Sequence, residues 1–220
     1  MKSCLPTVGR RRTQADRSSE MRATLIDAAI RTLHELGYAG ATTSLIAQCA
    51  GVTTGALHHH FLTKEDLMIG VADHAAALVG ASLREIGEVV ATSGGTRDLV
   101  RHIWQVYSSP EYWAAWEIII GARRDPLFHS RVVEHRRSTM RTQLHPWVKS
   151  ALTGGDEADQ AVALIELIMI SIRGLRLERF LHEEEDYFSA KLDLLAEVFG
   201  PRLDPLVGRG MIGAAHTAIK

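Results

Sequence analysis

The stretch GVTTGALHHHF, residues 51–61, decides how this 220-residue chain is interpreted. Thr53 is placed to cap a short helix that carries small residues first and three consecutive histidines last. Histidines at positions i, i+1 and i+2 of a helix spread over about 200° and cannot hold one metal ion, because ligands four residues apart are needed. We therefore predict neither a metal site nor a catalytic set here. His58 and His59 are expected to face outward, and His60 to be half-buried.

The elements around this stretch are equally short. Ser18 or Ser19 is predicted to cap a first helix that ends at Gly37, Thr42 to cap a second helix, and Thr63 to begin a fourth. Two short helices joined by a glycine turn and braced by a longer helix predict a helix-turn-helix, whose second helix fits the DNA major groove. The spacing alone leaves an ordinary helical hairpin open as the alternative.

Charge is distributed unevenly along the chain. Residues 1–64 hold eight Lys and Arg against four Asp and Glu, although the whole chain has 25 of the former and 26 of the latter. A basic first part on an acidic body indicates that this end meets a polyanion. A basic, disordered leader is the alternative interpretation.

Apolar residues recur with a period of 3.6 throughout, which predicts an all-α fold. We expect a flexible basic arm at 1–17, a helix-turn-helix DNA-binding domain at 18–63, a larger helical bundle at 64–200 for ligand binding and dimerisation, and a flexible tail at 201–220. Pro146 is expected to kink or break the segment 127–152, and Gly200-Pro201 to end the last helix. The fourth helix should run from Lys64 to about Gly80.

No motif supports catalysis. The GRGMIG sequence at 208–213 has the glycine spacing of a dinucleotide site, but no strand precedes it. Cys4 and Cys49 are too few for a zinc cluster, and no cofactor is predicted. No signal peptide and no apolar run of bilayer length is present, so we expect a soluble, cytoplasmic protein that is not an enzyme.

The stretch 37–67 resembles the DNA-binding region of the TetR family of bacterial transcriptional regulators. The matching features are Gly37-Tyr38, Thr42-Thr43, Ile46-Ala47, Ala50-Gly51-Val52, Leu57, His60-Phe61, Lys64 and Leu67. The resemblance is close over about residues 20–70 and only architectural beyond residue 80. One departure is His58, which stands where the family usually has tyrosine.

This resemblance implies roles for particular residues. Contacts to DNA backbone or bases are implied for Thr43, Ser44, Thr53, Thr54, Gly55, His58 and His59. A phosphate clamp is implied for Lys64. The partner would be a double-stranded DNA operator.

A ligand pocket in the bundle is also implied by the resemblance, and the residues suggest where. Large side chains concentrate between residues 100 and 150, and together with an arginine they can line a cavity. The candidates are Trp104, Tyr107, Trp113, Trp116, Phe128, Met140, Trp147 and Arg173. A plain hydrophobic core is the alternative for each residue taken singly, and the arginines hint at an acidic or carboxylate effector.

The run 161–172 is apolar nearly all round, which indicates burial on two sides. One side can pack on its own bundle and the other on a second copy, giving a twofold four-helix interface. The candidates are Ile168, Ile172, Leu175, Leu192, Leu195 and Phe199. The alternative is a fully internal core helix.

Together these inferences predict a ligand-responsive transcriptional regulator. We expect a repressor that binds a palindromic operator as a homodimer and is released by a small molecule. The alternatives are an activator or ligand-independent DNA-binding protein of the same fold, and a helical protein that does not bind DNA.

Overall fold

The computed structural model describes residues 13–92, 95–144 and 156–217, and within these ranges the regular structure is helical. The helices are α1 (Gln14–Gly40), α2 (Thr43–Cys49), α3 (Thr54–His60), α4 (Lys64–Thr92), α5 (Thr96–Val106), α6 (Pro110–Gly121), α7 (Pro126–Thr139), α8 (Asp156–Glu178) and α9 (Glu185–Thr217). A 3₁₀ turn at Ala122–Arg124 precedes α7, and a π-helical turn at Met140–Leu144 follows it. The expected all-α fold is confirmed.

The first helix begins earlier than the sequence predicted. Thr13 accepts a hydrogen bond from the Asp16 amide at 3.1 Å, and the Asp16 carboxylate accepts one from the Thr13 amide at 2.9 Å. This reciprocal capping box holds the start of α1 at Gln14. The predicted cap at Ser18 or Ser19 is therefore wrong, and residues 14–17 of the predicted flexible arm are helical. Residues 1–12 of that arm lie outside the described residues.

Two other caps confirm the sequence-based predictions. Thr42 and Thr53 accept hydrogen bonds from the amides of Leu45 and Ala56, at 3.3 and 3.1 Å, and so begin α2 and α3. Gly51 has φ of 70° in the turn between these helices, a conformation that favours glycine. The result is a helix-turn-helix braced by α1.

Two helices of the bundle, α4 and α9, extend further towards the C-terminus than the sequence predicted. Helix α4 continues to Thr92 rather than ending near Gly80. Helix α9 continues through Pro201 and Pro205 to Thr217, so Gly200-Pro201 does not stop it, and residues 201–217 are helical rather than a loose tail. The predicted break at Pro146 lies outside the described residues.

A long-range hydrogen bond explains why α9 is ordered beyond its first proline. The Asp204 carboxylate accepts from the Thr96 amide at 2.7 Å and from the Thr96 hydroxyl at 2.6 Å. Gly95, the capping position of α5, has no side chain to do this. Asp204 therefore caps α5 from a distant part of the chain, and the neighbouring Leu203 is buried.

Two apolar cores hold the chain together. The first joins α1–α4 to α6 and α7, so Ile118 and Phe128 are buried against the helix-turn-helix. The second joins α5, α6, α8 and α9, with Ile168 and Tyr107 among its buried residues. Within the ranges described, no helix has the length and apolar character needed to cross a bilayer.

Candidate DNA interface and bundle cavity

Helix α3 presents a small, polar surface to solvent. Leu57 is fully buried and anchors the helix. Thr53, Gly55, His58 and His59 are exposed around it, and Thr54 is half-buried. The start of α3 therefore allows a close approach to another molecule, while its end offers two imidazole rings.

The three histidines have distinct surroundings. His58 Nδ1 lies 3.2 Å from the Leu62 carbonyl oxygen, and a proton on Nδ1 is needed to donate to that oxygen. His59 touches the edge of the half-buried His60 ring, with 5.3 Å between ring centroids. The His60 carbonyl accepts a hydrogen bond from Arg22 at 3.4 Å. The described residues contain no group of three His, Cys, Asp or Glu side chains suited to a metal ion.

Lys64 is partly committed to the protein itself. Its ammonium donates to the Tyr38 carbonyl at 2.8 Å and lies 4.1 Å from the centroid of the Tyr38 ring. Burial lowers the pKa of Lys64 below its ordinary value. An ammonium has three donors, so this hydrogen bond leaves two for another acceptor. At the start of α2, Ser44 is exposed and Thr43 half-buried.

Fixed charge near this surface is balanced. Residues 13–64 contain four Lys and Arg and four Asp and Glu, so the positive excess of the first 64 residues belongs to residues 1–12. Arg10–Arg12, the core of that excess, lie outside the described residues.

A cavity of about 90 Å³ lies in the bundle between α4, α6, α7 and α8. A single water needs about 10–15 Å³ of such space, so this cavity has room for a small organic molecule. Its wall is mainly apolar. The lining residues are Ala72, Ala75, Ala76, Val79, Gly80, Tyr107, Tyr112, Ala115, Trp116, Ile119, Val132, His135, Arg136, Thr139, Met140 and Met169.

The structure brings only some of the predicted ligand residues to this cavity. Tyr107, Trp116 and Met140 line it. Arg173 stands just outside the lining, where its Nε donates to the Tyr112 hydroxyl at 3.0 Å. Trp147 lies outside the described residues.

Three predicted ligand residues are placed elsewhere. Phe128 is buried in the first core and stacks with Tyr38, 6.1 Å between centroids. Trp104 stacks on Phe188 in the second core, and Trp113 meets the edge of Phe180. Aromatic composition did not distinguish these packing positions from cavity positions.

Sequence reasoning missed the small residues of the wall. Ala72, Ala75 and Ala76 recur at helical spacing on α4 and leave the space that the cavity occupies. That spacing was the available signal. His135 and Arg136 were also missed. His135 Nε2 lies 2.6 Å from an Asp73 carboxylate oxygen, which links α7 to α4.

The cavity has one cationic end. The Arg173 and Arg136 guanidinium carbons lie 4.4 and 5.0 Å from the centroid of the Trp116 ring. Burial, followed by the charge of Arg173, lowers the pKa of Arg136 from its ordinary value. Burial also raises the pKa of Tyr107 well above its ordinary value, so this phenol keeps its proton.

The predicted dimer residues are only partly at the surface. Ile168, Ile172 and Leu192 are buried in the second core of the chain itself, so they are not available to a partner. Leu175, Leu195 and Phe199 are half-buried against that core. The apolar residues that α8 does expose lie on a different stripe, which comprises Ala163, Leu167, Ile170, Gly174 and Leu177.

A matching stripe lies on α9. It comprises Ala190, Leu194, Val198 and Pro201, all exposed. Leu194 and Val198 are 57% and 60% exposed, and Ile170 on α8 is 56% exposed. Exposed apolar stripes at helical spacing on two successive helices are typical of an interaction surface.

Comparison with known proteins agrees with this architecture. The family described as "Bacterial regulatory proteins, tetR family" is matched by residues 25–71, which span the helix-turn-helix and the start of α4. The HTH-type transcriptional regulator CymR of Pseudomonas putida is 27% identical over 183 residues, 81% of this chain and 89% of CymR. The HTH-type transcriptional repressor AcnR of Corynebacterium diphtheriae is 35% identical over 123 residues, 54% of this chain and 59% of AcnR.

Solved structures show the same fold. A TetR-family transcriptional regulator from Cytophaga hutchinsonii has a TM-score of 0.61 at 13% identity, covering 90% of this chain and 98% of that one. The multidrug binding protein EbrR complexed with ethidium has a TM-score of 0.50 at 24% identity, covering 80% and 98%.

The helix-turn-helix, the helical bundle behind it and these relatives define a DNA-binding transcriptional regulator and not an enzyme. Residues 25–71 carry the DNA-binding region of the TetR family, and the chain as a whole is similar to a transcriptional regulator along most of its length.

Proposed function

We propose that this regulator is a repressor that binds a palindromic operator as a homodimer and is released when a small molecule enters the bundle cavity. The head would comprise residues 14–63 and the ligand-binding and dimerisation part residues 64–206. The similarity to AcnR, a transcriptional repressor, supports the proposed direction of regulation. The ethidium complex of EbrR supports a bundle that accepts small molecules.

Helix α3 would lie in the major groove. The exposed Thr53, Gly55, His58 and His59, with Thr54, would meet base edges and phosphates. Thr43 and Ser44 would contact DNA from the start of α2, and Lys64 would use its remaining donors on a phosphate.

The course of α4 is the observation on which the release mechanism depends. This helix begins in the head, where a Cβ on Gly70 would lie 2.9 Å from the Phe61 ring, and it lines the cavity with Ala72, Ala75 and Ala76. The Arg131–Asp66 ion pair, at 2.9 Å, also ties α4 to α7. A ligand that displaces α4 would therefore move the head. A full switch needs about 10⁴-fold preference for one of two states.

Dimerisation would use the exposed stripes of α8 and α9. If two copies pack these stripes against each other, α8 and α9 of both copies form a four-helix interface. This interface would bury apolar surface that is exposed to solvent in the single chain. Two recognition helices would then lie about 34–36 Å apart, the spacing of half-sites one DNA turn apart.

Fluorescence anisotropy with labelled duplexes tests this function. Inverted repeats from the DNA flanking the protein's own gene should bind at low salt, and duplexes with one half-site scrambled should bind weakly. His59→Glu should abolish binding because it places a carboxylate at the phosphate-facing end of α3, whereas Glu197→Gln, an exposed position on α9, should not. Equal affinity for intact and scrambled duplexes would contradict an operator-specific regulator.

A further inference from the structure

The cationic end of the cavity lacks a counter-charge among the described residues. Arg136 lines the cavity and Arg173 lies behind it, both over the ring of Trp116. Neither forms an ion pair with a carboxylate among the described residues. Residues 143–155 contain no Asp or Glu. Two neighbouring cations held on one indole repel each other, and an anion between them would relieve that repulsion.

The Tyr107 hydroxyl, which lies in the same cavity, is buried without a hydrogen-bond partner among the described residues. Tyr107 is 1% exposed. An unpaired buried hydroxyl costs about 1–3 kcal/mol, so a bound acceptor would recover free energy. Tyr107 lines the cavity and stacks on Tyr112, whose hydroxyl accepts from Arg173.

The rest of the cavity lining is mainly apolar. It is built from Ala72, Ala75 and Ala76 of α4, with Ile119 and Val132. This part of the cavity offers no group that would replace the hydration of a polar ligand. A ligand that satisfies both ends must be apolar over most of its length and anionic at one end.

We propose that the effector is a small organic anion, an apolar and preferably aromatic body bearing one carboxylate, which sits between Arg136, Arg173 and the Tyr107 hydroxyl. The guanidinium groups would donate to the carboxylate oxygens, and the phenol would give its free hydrogen bond. Inorganic phosphate has no apolar body and would gain nothing from the alanine wall. This proposal rests on the proposed function and specifies the ligand of the same cavity.

Calorimetric titration of the full-length protein, without DNA, tests the ligand class. The probes are benzoate, phenylacetate and 1-naphthoate, each beside its primary amide and its amidine, with inorganic phosphate as a further control. At least one carboxylate should bind ten times or more tightly than its matched amide and amidine. Binding of an amide or amidine as tight as that of its carboxylate would overturn the proposal, as would the failure of all three carboxylates to bind.

Substitutions locate the binding. Arg136→Gln and Arg173→Gln should each weaken the binding carboxylate about tenfold or more, as expected for the loss of a charge-assisted hydrogen bond. Arg137→Gln, at the exposed neighbouring position, should not. Ala76→Phe should fill the cavity and block binding, whereas Ala77→Phe, on the exposed side of α4, should leave it intact. Unchanged affinity in all three cavity variants would overturn the site.

Tyr107→Phe separates a ligand contact from a structural role. The hydroxyl makes no hydrogen bond among the described residues, so its removal should leave the melting temperature of the ligand-free protein unchanged or higher. It should also reduce carboxylate affinity several-fold. Full carboxylate affinity in this variant would remove the phenol from the site.

The two proposals fail in different experiments. A protein that binds its operator but is released only by neutral or cationic compounds keeps the proposed function and loses the anionic effector. A protein that binds carboxylates with this pattern but ignores inverted repeats keeps the ligand class and loses the operator.

Discussion

His59 stands at the exposed end of the recognition helix, where fixed charges are balanced. An imidazole N–H can donate a hydrogen bond to a phosphate or base acceptor. If His59 makes such a contact, His59→Ala should weaken operator binding several-fold. Anisotropy titrations at constant pH and ionic strength measure this change.

A matched substitution in the bundle is the control for this prediction. His129→Ala, on α7, should keep the wild-type operator affinity. Unchanged affinity in His59→Ala would remove this side chain from the interface.

Gly121 allows α6 to approach Tyr38 closely. A Cβ at this position would lie 2.2 Å from Tyr38 Cγ. Gly121→Ala should therefore displace Tyr38, which stacks with Phe128 and holds Lys64, and lower the free energy of unfolding by about 1–3 kcal/mol. Urea denaturation measures this difference. Gly55→Ala is the control and should not destabilise the fold, because a Cβ at Gly55 would lie 3.8 Å from the Thr53 hydroxyl, an ordinary contact distance.

At the scale of single residues, the sequence predicted helix caps correctly but did not predict where individual aromatic side chains pack. Thr42 and Thr53 cap their helices as expected because a cap depends on residues two or three positions away. The destination of Phe128 depends on Tyr38, ninety positions earlier in the chain. The sequence around an aromatic residue does not indicate whether its side chain packs in the core or lines a cavity.

Lys64 connects two elements, since it begins α4 and binds the C-terminal end of α1 through the Tyr38 carbonyl. If its remaining donors bind a phosphate, Lys64→Ala should weaken binding to all duplexes alike. The slope of log K against log salt should then flatten by about 0.9 for the lost contact. Lys191→Ala, on α9, is the matched control and should leave the slope unchanged. An unchanged slope in Lys64→Ala would remove the clamp from the interface.

Among the elements, the ends of the short helices were predictable and those of α4 and α9 were not. Short helices end at local signals such as Gly51, which needs its positive φ. Helix α9 continues past Gly200, Pro201 and Pro205 because Leu203 is buried and the Asp204 carboxylate accepts hydrogen bonds from Thr96. These tertiary contacts compensate for the backbone hydrogen bonds that the prolines remove from the helix.

The assembly of the whole molecule is testable at the exposed stripes. Ile170→Glu should produce monomers, because a carboxylate in an apolar interface is costly to bury. Analytical ultracentrifugation measures the result. Leu127→Glu, which changes an 83% exposed leucine on α7, is the control and should not alter assembly. A dimer that survives Ile170→Glu would place the interface elsewhere.

For the whole molecule, the sequence predicted a dimer interface on α8 from residues that the structure buries in the chain's own core. A helix that is apolar all round has two candidate faces, and periodicity does not say which faces the chain's own core. Ile168 and Ile172 meet α5 and α9, which leaves Leu167 and Ile170 outward. That choice is made by the packing of several helices together.

The cap that Asp204 supplies to α5 also sets an order of events during synthesis. The core around the helix-turn-helix uses residues no later than Val132, so it can close while the rest of the chain is still being translated. The amide of Thr96 has no capping carboxylate until residue 204 has left the ribosome. Newborn chains can therefore close the core around the helix-turn-helix before the second core of the bundle is complete.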